Sequence, residues 1–288
     1  MRNRRLHLLA AISAVAALGV LLPAATAHAD DPPRYETYYS IFTRGEQKIP
    51  FLDTTPYVPQ GLAHLPEQDA MVVSYYDDRG GNAQIAILDR ATSTHVKTLV
   101  LDDTGHVGGL ATSANYLWVS STNGADKRLI RYAKSSLAEA PDGSQVARDA
   151  DYAVPASSFV EISGDKLYVG LFDADQEGTV HQYTLDANEN PQDDNQPFAI
   201  PSSVQGMAVT PEHIIWSRSF GRDNDSELVV DPLGGQAGRT VTAPNMSEDM
   251  AIVDGELHVV YESGAQKFSD ADYKVRTIHH GSLSALIS

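Results

Sequence analysis

The feature that most constrains this chain is a hairpin that it writes five times. In the clearest copy, residues 247–264 (SEDMAIVDGELHVVYESG), Asp249, Ala251 and Val253 alternate with Glu248, Met250 and Ile252. Asp254-Gly255 supplies a turn, and Leu257, Val259 and Tyr261 resume the alternation, which is the period of a strand-turn-strand unit. Weaker copies lie upstream. They pair Pro59-Gln60-Gly61-Leu62-Ala63 with 71–74, Val107-Gly108-Gly109-Leu110-Ala111 with 117–120, 158–161 with 167–170, and Val204-Gln205-Gly206-Met207-Ala208 with 214–217. A chain that repeats a hairpin repeats its architecture.

Two further β-rich stretches follow each of the first four hairpins: 83–89 and 95–101, 128–132 and 152–154, 179–185 and 197–200, 228–231 and 239–242. Four-stranded repeats at a period of about 42 to 50 residues are the signature of a β-propeller, whose blades bury their faces against their neighbours. The expected fold class is all-β, a five-bladed β-propeller of four-stranded blades. The fifth repeat offers only one more strand, 275–280, and the aromatic stretch 38–42 lacks a partner, so this N-terminal strand is expected to complete the last blade and close the ring. A six-bladed alternative would draw on residues 34–57 and the C-terminal tail, which hold too few strands. No helix of consequence is expected, and 135–147 reads as a polar insertion.

Residues 1–29 read as a signal peptide: Arg2, Arg4 and Arg5, an apolar run over 8–22, and Ala27-His28-Ala29 before Asp30. The apolar run of about 15 residues is short for a membrane span, which leaves 30–288 as a single secreted β-propeller domain and a monomer. Arg4-Arg5 also suits a twin-arginine route. The chain has no cysteine, which excludes disulfide stapling, thiol redox chemistry and thiolate metal sites. A formal net charge of −17 argues against nucleic acid and anionic lipid as partners.

Aligned on the hairpin, Gly61, Gly109, Gly206 and Asp249 share one column, and Ala63, Ala111, Glu161, Ala208 and Ala251 another. Innermost strands converge near a propeller's axis, so the small residues read first as packing devices. The loop leading into each innermost strand and the loop leaving the second strand open on one face. There they gather Gln60, His106, Gln205, Glu248 and Asp249 with Tyr76, Asn123, Asp173, Arg218, Tyr261 and Glu262. The fifth blade departs from its copies, carrying Glu248 where Gln60 and Gln205 stand and Asp249 in a column otherwise mostly glycine. With a two-residue turn, Asp249 lies opposite Val260 with Glu262 as its diagonal neighbour, and Glu248 faces Tyr261.

Three functions follow as expectations. The first is binding of a small polar molecule or glycan at the channel mouth by Gln60, Tyr76, Gln205, Arg218, Tyr261 and Glu262, because amide, aromatic and charged groups suit hydroxylated ligands. The second is a hydrolase or lyase in which Glu248, Asp249 and Glu262 divide acid and base roles with His106 as proton carrier, or in which Glu248 and Asp249 hold a divalent cation such as calcium. The third is a protein-interaction platform that takes a basic partner on an acidic rim. Asp173 to Gly178 starts like a calcium loop but has Thr184 where the last acid belongs, and His279-His280 point to opposite faces of a strand. There is no Gly-X-Ser-X-Gly, His-Glu-X-X-His or Walker loop.

Through the hydrophobic-Gln-Gly-hydrophobic-Ala hairpins at Gln60 and Gln205, the mature chain resembles secreted bacterial propellers and the wider gluconolactonase-like and strictosidine-synthase-like group. Gluconolactonase-like enzymes hold a divalent cation in the channel with acidic and amide residues, a part that the resemblance assigns here to Glu248 and Asp249. Five-bladed glycosidases set three carboxylates around their axis, whereas the acids here gather chiefly in one blade.

Overall fold

The computed structural model describes residues 31–53, 55–233 and 238–288. The segment read as a signal peptide lies outside them. Five antiparallel sheets are arranged as the blades of a closed ring. Blade 1 is built from Tyr57–Leu65, Ala70–Asp77, Gln84–Asp89 and His95–Leu101. Blade 2 is built from His106–Thr112, Tyr116–Asn123, Asp126–Ala133 and Ala150–Ala153. Phe159–Ser163, Lys166–Leu171 and Gly178–Leu185 begin blade 3, with Pro191–Asp193 and Phe198–Ile200 both on its outer edge. Blade 4 is Val204–Val209, His213–Arg218, Ser226–Pro232 and Arg239–Ala243, and blade 5 is Ser247–Val253, Glu256–Tyr261, His279–Ser282 and Phe42–Thr43. Among the described residues, no helix is long and apolar enough to cross a membrane.

The core lies between blades rather than within any one of them. Five clusters of buried side chains each join two neighbouring blades: Val72 and Ile85 with Val119 and Ile130, Trp118 and Leu129 with Val160 and Val169, Phe159 and Val180 with Met207 and Trp216, Leu228 and Val230 with Leu257 and Val259, and Val260 with Val73 and Ala86. A single blade cannot bury its faces alone, so the ring stands or falls together.

The ring closes where the sequence indicates, but not in the expected form. Residues 38–42 were expected as the closing strand; instead Glu36–Ile41 is helical, and Phe42–Thr43 alone pairs, Phe42 opposite Gly281 and Thr43 opposite His280. Tyr35, Tyr38, Tyr39 and Phe42 recur at i, i+3, i+4 and i+7, the spacing of one helical face, and this outweighs their strand propensity. All four side chains are buried, and the Tyr38 and Phe42 rings stack at 4.6 Å. The third strand of blade 5 is likewise His279–Ser282 rather than 275–280.

No long helix was expected, and the helices present are short: Glu36–Ile41, Lys134–Glu139 and Leu283–Ile287. The insertion at 135–147 carries the second of these and then Gln145–Val146, which runs parallel to the outer strand of blade 1 and stitches blade 2 to it. Truncating the closing strand with Phe42→Ala should cost about 3–5 kcal/mol of stability, read as a lower urea midpoint with the slope unchanged. A shift of under about 0.5 kcal/mol, typical of exposed positions, would show that closure does not depend on this contact.

Candidate functional site

The site is set by an irregularity that recurs around the ring. In blades 1, 2, 4 and 5 the innermost strand bulges near its start, between Pro59 and Leu62, His106 and Gly109, Val204 and Gly206, and Ser247 and Met250. A bulge sets two residues against one and re-aims their side chains. Asp254 and Gly255 do form a two-residue turn, with φ of 51° and 80°, as expected. The bulge beyond it shifts the pairing: Ser247 rather than Glu248 faces Tyr261, and Glu248 and Asp249 share the place opposite Val260.

The two acids therefore part company. Asp249 is fully buried on the axis, where its Oδ2 accepts the backbone N–H of Leu62 and of Leu110, each at 2.9 Å. One carboxylate oxygen of blade 5 thus ties together blades 1 and 2, while Oδ1 is buried without a partner. Glu161 takes a similar part in blade 3, accepting from Val209 N–H of blade 4 at 3.4 Å. Loss of water pushes Asp249 up to about 8 and Glu161 well above the ordinary carboxylate range, the latter helped by Asp249 itself.

Glu248 turns toward the mouth. The residue is 1% exposed, and the neighbouring acid that acts on it most is Glu262, so the partnership expected between Asp249 and Glu262 falls to Glu248 and Glu262 instead. Gln205 donates Nε2 to Glu248 at 3.2 Å, and Gln60 donates Nε2 to Glu262 at 2.9 Å. Burial first, then the neighbouring carboxyl, pushes Glu248 well above its usual range, and burial raises Glu262 to about 7. Two neighbouring buried carboxyls cannot both ionise cheaply.

Around this pair the mouth is built from several blades. His106 Nε2 hydrogen-bonds Gln60 Oε1, and its ring stacks on Tyr76 at 4.3 Å. Lys267, from the long loop between the second and third strands of blade 5, donates to the Tyr76 hydroxyl at 2.9 Å and pairs with Asp78 at 2.6 Å. A cavity of about 260 Å³ opens here, lined by Gln60, His106, Thr122, Ser158, Phe172 and Gln205. Lost hydration, then the Lys267 ammonium, lowers the His106 pKa, although the residue keeps an exposed edge.

Two expected ligand residues lie elsewhere. Tyr261 is fully buried in the core, its hydroxyl donating to Tyr38 at 2.7 Å, because it shares the strand face of Leu257 and Val259 that packs against blade 4. Arg218 is committed within blade 4, to Ser202 O at 2.9 Å and Glu227 at 2.8 Å. Asp173 caps its own turn by accepting from Asp175 and Gln176 N–H. His279 faces Tyr38 and His280 faces Glu256, on opposite sides of their strand.

Sequence reasoning missed Thr122, Ser158, Phe172 and Lys267. It also read Glu161 only as part of an alanine column, although a lone acid in that column was itself a signal. A divalent cation, which the gluconolactonase-like resemblance implies, does not fit these donors. Asp249 Oδ2 is already shared by two amides, its carboxylate does not join the Glu248–Glu262 pair, and among the described residues no group of three or more His, Cys, Asp or Glu is arranged to hold a metal ion.

No family model and no curated protein matches the chain. Among solved structures it is similar to hydrazine synthase of Kuenenia stuttgartiensis, with TM-score 0.44 and 10% identity over 75% of this chain and 59% of that one. It is also similar to the nidogen/laminin complex (0.43, 12%, 73% and 74%) and to a putative glucose dehydrogenase of Thermus thermophilus (0.40, 16%, 73% and 77%). The likeness concerns the propeller fold alone.

The buried acids make stability depend on pH in a definite direction. The ordinary values of 3.8 for Asp249 and 4.5 for Glu262 rise to about 8 and about 7 in the fold, so the folded state binds more protons between these limits. Their contribution is complete below the unfolded values and is lost as pH rises through the folded ones. The urea midpoint should fall from pH 4.5 toward pH 8, and Asp249→Asn, which retains an acceptor for Leu62 and Leu110, should flatten the fall. An Asp249→Asn profile as steep as the native one would show that Asp249 titrates normally.

Proposed function

We propose that this protein binds a small polar molecule or glycan at the mouth of its central channel. The carrying observation is the cavity of about 260 Å³ that gathers the carboxamides of Gln60 and Gln205, the hydroxyls of Thr122 and Ser158, and the rings of His106 and Phe172. A concave site with an aromatic wall and convergent polar groups suits a hydroxylated ring. The leader read from residues 1–29 supports an extracellular setting for such binding. Titration calorimetry against a glycan and polyol panel should find saturable binding that weakens at least about fivefold in Gln205→Ala, the worth of one hydrogen bond. Silence across the panel, or unchanged affinity in the variant, counts against the reading.

A second reading, acid–base hydrolysis or elimination, is favoured by the two neighbouring buried carboxyls of Glu248 and Glu262, both raised above their ordinary range. One carboxyl can donate while the other accepts, with no metal required. Under this reading, turnover of lactone, ester or glycan substrates should persist with chelator and fall at least about a hundredfold in Glu248→Gln, as when a general acid is removed. Equal rates in the native protein and the variant would end it.

A further inference from the structure

We propose that the end of the central channel opposite the mouth is a second binding site, which takes a primary alkylammonium by seating its charged head on Glu161. The site is separate from the mouth and does not rest on the binding reading above. The innermost strands run from the mouth to this far end: Gln60, His106 and Gln205 stand early in theirs, whereas Ala63, Ala111 and Val209 stand late. A cavity of about 240 Å³ opens here, to which all five blades contribute. Leu62 and Leu110, whose N–H groups are tied to Asp249, form part of its wall.

That wall is mostly apolar. Pro66, Ile162, Val209, Met250 and Ile252 supply its hydrocarbon, and Glu161 is the acid among the lining residues. Asp249 and Glu248 are closed off in the interior, but Glu161 is partly exposed, so a ligand that enters the cavity meets it directly. Its carboxyl lies along the wall, because Oε1 accepts the N–H of Val209, itself a lining residue, at the long distance of 3.4 Å.

Glu161 lacks a counter-cation. The donors on it are backbone amides, and among the described residues no Lys or Arg forms an ion pair with it. His64, the basic residue of the wall, turns its Nε2 to Asp69 at 3.3 Å. Asp249, the charged side chain that acts on Glu161, is another acid. An acid held in apolar surroundings ordinarily faces a cation. A primary alkylammonium supplies that cation and donates charge-assisted hydrogen bonds, while its carbon chain covers the apolar wall. A net charge of −17 draws such cations toward the molecule. In docking the ammonium keeps its three protons, and any proton on Glu161 passes to water.

Butylammonium and 1-butanol test this, because they share a carbon chain and differ at the head group. Titration calorimetry near pH 7 should find butylammonium tighter by at least about tenfold, the worth of a charge-assisted hydrogen bond. In Glu161→Gln, which keeps an acceptor for Val209 N–H and is checked for folding by its thermal melt, that preference should vanish. In Gln205→Ala, which alters the mouth, it should persist. In the native protein, butylammonium should shift the methyl NMR signals of Ala63, Ala111 and Ala251, which line the far cavity.

Equal affinity for the two probes, silence of both, or a preference that survives Glu161→Gln overturns the inference. Unmoved alanine methyl signals in the native protein overturn it without recourse to any variant. A preference lost in Gln205→Ala would put the amine at the mouth and overturn it as well. The glycan panel decides the mouth reading separately from all of these.

Discussion

The interaction on which the rest of this structure depends is the pair of hydrogen bonds from Leu62 and Leu110 N–H to one oxygen of Asp249. Five innermost strands meet around an axis, and each presents an edge whose backbone groups have no further strand to pair with. A carboxylate from blade 5 supplies an acceptor for two of them at once, and Glu161 supplies one to blade 4. The arrangement is paid for in desolvation, which raises both acids.

That tie requires close approach, and glycine permits it. A Cβ on Gly206 would lie 2.7 Å from Asp249 Cα, and one on Gly109 would lie 2.6 Å from Val160 N. One on Gly61 would lie 2.8 Å from Leu110 N, so each of these glycines abuts the innermost strand of the following blade. At the bulges of blades 1 and 4 stand Ser74 and Ser217. Ser74 Oγ accepts from Gly61 and donates to Val107 O, while Ser217 bonds Ser247, so these small hydroxyls stitch one blade to the next.

The bulges that let the strands converge also build the mouth. By placing two residues opposite one, blade 5 sends the Asp249 carboxylate to Leu62 and Leu110 and the Glu248 carboxyl to Gln205, a residue that lines the mouth cavity. The long loop of blade 5 then brings Lys267 against Tyr76 of blade 1, fixing the wall on which His106 stacks.

The sequence by itself determined the number of blades, the hairpin at the heart of each, the Asp254-Gly255 turn and closure from the N-terminus, because period-two alternation and turn chemistry are local properties. It also brought Gln60, Tyr76, His106, Gln205, Glu248 and Glu262 to one face, since loop position follows from blade order. Only the tertiary structure decided which acids touch. A one-residue bulge reverses the facing of every side chain before it, exchanging Asp249 for Glu248 as the neighbour of Glu262, and no alternation pattern reveals where a ladder slips. The helical run at 36–41 was legible in the spacing of Tyr35, Tyr38, Tyr39 and Phe42, but strand propensity pointed the other way until packing against blade 5 settled the competition.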